Sequence, residues 1–119
     1  MKKHALVLML ATFSITPINS YAVDLALYNS VSEDDEDSVI MDVYLKGLGE
    51  GLIYSYTLSK SMRLESPFCP PDNLIISADI VRTIVDGEIL SPSYGMEYNS
   101  DTFLALITTV GFKNFFPCN

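Results

Sequence analysis

The stretch Ser38–Ser61, SVIMDVYLKGLGEGLIYSYTLSKS, decides the fold. Met41, Leu45, Leu48, Leu52 and Tyr56 recur at steps of three and four residues, and Val43, Tyr44 and Ile53 widen the stripe. That period is one face of an α-helix, not the alternation of a strand. Gly47, Gly49 and Gly51 interrupt the run, each costing ~1 kcal/mol relative to Ala in a helix interior. Gly47 and Gly51 share a face, which lets a neighbouring helix approach closely there. Gly-Leu-Gly-Glu-Gly lacks the preceding strand and the spacing of a nucleotide-binding loop, so helix packing is the use it supports.

Downstream, Met62 to Asn73 is a connector, because Pro67, Pro70 and Pro71 prevent a helix from continuing. The next helix is expected to start between Asp72 and Ser77, either of which can cap it, and to run to about Asp86. Leu74, Ile76, Ile80, Ile84 and Val85 supply its apolar face, and Gly87 is a natural terminator. Glu88 to Asn99 reads as a second connector. Tyr94, Met96, Glu97 and Tyr98 in it are candidate partner-binding residues, since Tyr and Met are enriched in recognition surfaces. The alternative is that these side chains fold back over the core. Ser100 is placed to cap a last helix, with Asp101 in its first turn. Phe103, Leu106, Ile107 and Val110 line one face of that helix, which is expected to end near Gly111.

Upstream, Val23 to Asn29 reads as an ordered lead-in. Glu33-Asp34-Asp35-Glu36-Asp37 is an unbroken acidic run just before the first long helix. It reads either as a solvated lead-in facing the positive helix end or as a patch that steers a basic partner. A calcium loop is excluded, because no Gly follows at the required place. Further back, Met1-Lys2-Lys3-His4, the apolar Ala5 to Ile15 and Ser20-Tyr21-Ala22 have the plan of a cleavable export signal over 1–22, cut after Ala22. The apolar run is short of the ~20 residues of a stable membrane span, although an uncleaved amino-terminal anchor is the competing reading.

Of the 119 residues, 97 remain after such a cut, enough for one domain over 23–119. The cut removes Lys2, Lys3 and His4, leaving five basic against fifteen acidic residues and a formal net charge of −10. That charge argues against nucleic-acid binding. Without histidine, a Ser-His-Asp or Cys-His site cannot be assembled, and the zinc spacings are missing too. Catalysis by a carboxylate pair, as in glycosidases, stays formally open, and nothing in the sequence points to such a pair. Neither metal nor cofactor is expected. Cys69 and Cys118 are the only cysteines, and in an oxidising compartment they are expected to form one disulfide, with free or intermolecularly linked thiols as the alternative. The expected architecture is a small all-α domain of three to four helices closed by that disulfide.

Tyr44-Leu45-Lys46-Gly47, Phe68-Cys69-Pro70-Pro71, the apolar helix that follows and the terminal Phe116-Pro117-Cys118 resemble the Rap/Tai family of type VI secretion amidase immunity proteins. The resemblance spans about Val39 to Cys118. Members commonly carry further cysteines that this chain lacks. The resemblance implies a short, exported, mainly helical, non-enzymatic protein of the periplasm. Its implied partner is a peptidoglycan amidase of the papain-like cysteine hydrolase type, which it binds and neutralises. Some members act as homodimers, so a homodimer is a further expectation. Within that reading, Tyr94, Met96, Glu97 and Tyr98 are the element inserted into the amidase cleft, and Glu33 to Asp37 steer the encounter. The competing function is a periplasmic acid-stress chaperone that exposes an apolar interface when its carboxylates protonate.

Overall fold

A computed structural model of the chain describes residues 22–31 and 36–119. The export signal and Glu33, Asp34 and Asp35 lie outside the described residues, apart from Ala22. The described residues form four α-helices: α1 (Leu25–Ser30), α2 (Glu36–Ser61), α3 (Ala78–Leu90) and α4 (Leu104–Phe115). One 3₁₀ turn, Ser93–Gly95, stands between α3 and α4, and an isolated bridge joins Asp24 to Phe103. The all-α architecture therefore matches the sequence expectation.

α1 forms where only a lead-in was expected. Asp24 caps it, its side chain accepting from Leu27 N at 2.8 Å. α2 begins at Glu36, so Glu36 and Asp37 sit in its first turn, where carboxylates oppose the positive helix end. α3 is capped by the Ser77 hydroxyl, which accepts from Ile80 N. It runs through Gly87 instead of stopping there, because Glu88 continues the inward-facing series Val81, Ile84 and Val85 and no proline intervenes before Pro92. α4 starts three residues later than expected, with Phe103 in the cap position instead of Ser100. Ser100 and Asp101 are used in a turn closed by Thr102 N to Asn99 O (3.0 Å) and Asp101 N to Asn99 Oδ1 (3.1 Å).

The helices meet over one core: Met41 and Leu45 of α2, Val81, Ile84 and Val85 of α3, and Leu104, Ile107 and Phe112 of α4. α3 packs against both α2 and α4. Two glycines make those contacts close. A Cβ on Gly49 would stand 2.5 Å from Val81 Cγ2, and one on Gly111 would stand 2.8 Å from Ile84 Cγ2. The expected close-approach pair, Gly47 and Gly51, has nothing within 4 Å, so Gly49 is the packing glycine of α2. Val43 is likewise exposed, not part of the core stripe. On α4 the inward face is turned by one residue: Leu104, Ile107, Thr108 and Gly111 are buried, while Phe103 and Leu106 are exposed.

Phe68, Phe112 and Phe116 continue the core as edge-on aromatic pairs, with ring centroids 5.7 and 5.6 Å apart. Beside them Cys69 and Cys118 form the expected disulfide across a separation of 49 residues. The Cys69 amide also donates to the Phe116 carbonyl at 2.8 Å.

Gly111→Ala should destabilise the protein by about 1–3 kcal/mol, because the methyl group must displace Ile84 in a filled contact. Gly87→Ala, in the α3 interior with nothing within 4 Å, should stabilise it by up to about 1 kcal/mol. Urea midpoints of the two variants moving in opposite directions would bear this out. Equal shifts would refute it.

Candidate recognition loop

Between Ser91 and Phe103 the chain leaves α3 and returns to α4, and this segment carries all four candidate partner-binding residues. It is organised by Glu88, which is only 2% exposed. Its Oε1 accepts from Ser93 N at 2.8 Å and from the Tyr98 hydroxyl at 2.7 Å, and its Oε2 accepts from the Ser93 hydroxyl at 2.7 Å. Burial alone would push the Glu88 carboxyl up, but the amide and hydroxyl of Ser93 and the phenol of Tyr98 outweigh it and hold the group below its ordinary value. The carboxylate is ionised and has three donors around it. Burial and the facing Glu88 charge push the Tyr98 phenol up in turn, keeping it a donor.

Those bonds fix both sides of the 3₁₀ turn. At its tip Tyr94 takes a left-handed backbone conformation, φ 56° and ψ 25°, and Gly95 follows at φ 69°. A left-handed tyrosine costs roughly 1 kcal/mol and persists only because its surroundings impose it. Met96 N closes the turn on Ser93 O at 3.0 Å. The conformation turns the Tyr94 ring outward, 66% exposed, with Lys113 Nζ of α4 lying 4.6 Å from the ring centroid.

The structure thus gives the four residues different parts. Tyr94 and Glu97 are exposed, Met96 is half-buried, and Tyr98 packs against the core with its hydroxyl on Glu88. Tyr98 positions the loop. Glu88 and Ser93 were not singled out from the sequence. The available signal was an acidic residue in register with Val81, Ile84 and Val85, where an apolar residue is expected.

A second polar network ties the amino-terminal segment down. Arg82 donates to Asp42 Oδ1 at 2.6 Å, and the Tyr28 hydroxyl donates to Asp86 Oδ1 at 2.7 Å. The Tyr28 ring lies under the Arg82 guanidinium, 5.8 Å from its centroid. Burial and the Asp86 carboxylate push the Tyr28 phenol upward. The backbone strap at Val23–Ala26 completes this end, with Leu25 N on Thr102 O and Leu104 N on Val23 O, both at 2.9 Å.

Of the acidic run, Glu36 and Asp37 open α2, and Asp37 borders an apolar groove between α1 and α2. Among the described residues no three His, Cys, Asp or Glu side chains converge as metal ligands. The chain matches no family model, no curated protein and no solved structure.

Proposed function

We propose that this chain is a periplasmic immunity protein that inhibits a papain-like cysteine peptidoglycan amidase by occluding its active-site cleft with the Ser93–Tyr98 loop. The observation that carries the reading is the Tyr94 tip: an exposed aromatic ring on a strained turn, held by a buried carboxylate. A protruding loop ordered before binding gives up little further entropy on docking, and a rigid tyrosine offers a large apolar face with a polar end. Tyr94 enters the cleft and Glu97 lies at its rim. The net charge of −10 on 23–119 favours encounter with a basic hydrolase, whose own substrate is the anionic cell wall. The resemblance of Tyr44–Gly47, Phe68–Pro71 and Phe116–Cys118 to the amidase immunity family agrees with that partner class.

The test is inhibition of candidate amidases by the purified protein, with hydrolysis of peptidoglycan fragments as readout. Tyr94→Ala should weaken binding by about 30-fold, the loss of ~2 kcal/mol typical of a central aromatic anchor. Its fold should be intact, since the ring is exposed. Unchanged affinity of that variant would remove the loop from the interface. Failure to inhibit any such amidase would remove the function.

A further inference from the structure

The geometry points to a second binding surface: the groove between α1 and α2, whose occupant is a basic amphipathic helix of a protein partner. The groove holds about 290 Å³, with Val23, Leu27 and Val31 on one side and Ile40, Met41 and Tyr44 on the other. Among the described residues, Asp37 is the one charged side chain in that lining. α1 turns Leu25 and Tyr28 into the core, which leaves Leu27 and Val31, four residues apart, to line the groove. On α2 the lining residues Asp37, Ile40, Met41 and Tyr44 follow steps of three and four, so one side of the helix borders the hollow. Met41 and Tyr44 pack into the core beneath, but Leu27 is 44% and Ile40 67% exposed. Two large aliphatic side chains at the mouth of an apolar hollow are what a docking site presents.

Form and charge select the occupant. Both walls are helical, so an extended peptide finds no sheet edge to lengthen. A row at i, i+3, i+4 and i+7 is instead a ridge against which another helix packs, one of its apolar side chains filling the hollow. The charge around the groove is of one sign. Seven of the fifteen acidic residues lie between Val23 and Leu45, a stretch with no Lys or Arg. Of these, Asp42 is paired with Arg82, while Glu36 and Asp37 stand exposed in the first turn of α2. Lysines or arginines flanking an apolar anchor meet those carboxylates. A second copy of this chain docking by the same surface would set like charge against like, which disfavours it. No groove residue belongs to the Ser93–Tyr98 loop, so the inference goes beyond the inhibitor reading and does not rest on it.

Isothermal titration calorimetry with the peptide LKKLLKLLKKLLKL, leucines on one helical side and lysines on the other, tests the inference. The purified protein should bind it one to one, with a Kd of about 10 μM at about 20 mM salt and at least about tenfold weaker at about 300 mM. Ile40→Ala should weaken binding about fivefold and Asp37→Lys about tenfold, whereas Tyr94→Ala should leave it unchanged. Ile40 and Asp37 are both exposed, so the circular-dichroism spectra of the two variants should match the parent.

Equal binding of a peptide with the same residues reordered to have no apolar side would reduce the effect to net charge and overturn the groove. Equal binding of LEELLELLEELLEL would reduce it to apolar contact and overturn the charge argument. Indifference to Ile40→Ala, a loss on Tyr94→Ala equal to that on Ile40→Ala, or no binding at all likewise overturns the assignment. None of these results bears on amidase inhibition through Tyr94, which is read from hydrolysis of peptidoglycan fragments.

Discussion

Replacing Cys69 and Cys118 by serine is expected to lower the stability of this domain by about 4 kcal/mol and its melting temperature by roughly 20 °C. The bridge closes a loop of 49 residues of sequence separation, and in the chain-entropy model a loop of that size leaves the unfolded chain much of its freedom when cut. The loss is large for a chain of about a hundred described residues, whose whole folding free energy is on the order of 10 kcal/mol. The effect is concentrated at two segments without helix. Residues 64–76 carry three prolines and cannot hold themselves by a hydrogen-bonded ladder, and the four carboxy-terminal residues follow the last helix. Without the bridge these segments are joined through Phe68 and Phe116 and the single bond from Cys69 N to Phe116 O. Thermal unfolding of the double serine variant beside the parent measures the difference, and adding reductant to the parent should reproduce it. A shift under about 5 °C, which is near 1 kcal/mol, would show that the aromatic contacts alone retain the tail.

Glu88→Ala is expected to cost about 3 kcal/mol and to release the Ser93–Tyr98 loop. The substitution deletes three hydrogen bonds to an ionised acceptor and leaves the Ser93 amide and Tyr98 hydroxyl facing a buried apolar site. With the anchor gone, nothing compensates the left-handed backbone of Tyr94, so hydrogen exchange at Met96 should accelerate. The pH dependence carries the same signature with a definite sign. Because the native state holds Glu88 below its ordinary value of 4.5, the unfolded chain takes up a proton first as pH falls. The contribution is therefore complete at neutral pH and declines as pH drops from about 4.5 through the native value. Glu88→Gln removes this titration and should flatten the acid side of the stability curve between pH 5 and the native value. An acid limb identical in parent and Glu88→Gln would place the responsible carboxylate elsewhere.

The long helices were legible because their apolar residues repeat at helical spacing, and the disulfide because two cysteines permit one intramolecular pairing. Boundaries were less so, for identifiable reasons. Gly87 and Gly111 carry the punctuation of helix ends, but each lies inside a helix whose core-facing series runs on past it, and Gly111 serves the packing of Ile84 instead. Ser100 has the chemistry of a cap, yet Asn99 and Thr102 hold it in a turn, and the first amide of α4 is satisfied by Val23 from the far end of the sequence. A cap supplied from so far away has no local pattern. Three-four periodicity also cannot separate a core stripe from an exposed apolar one: Val43 and Met41 lie on the same helix, with similar hydrophobicity and opposite surroundings. Within the loop, aromatic composition pointed to Tyr94 and Tyr98 alike. Only the position of Glu88 separates the displayed ring from the anchored one.

The strap at Val23–Ala26 has a consequence for how the molecule comes into being. Its partners are Ser100, Thr102 and Leu104, and the sulfur that seals the domain is Cys118, all far along the sequence from the strap. Docking of the segment that leads into α1 therefore waits on α4 and the turn before it, contacts of high sequence separation. Helices α2 and α3, whose hydrogen bonds are local, can form before that closure is made.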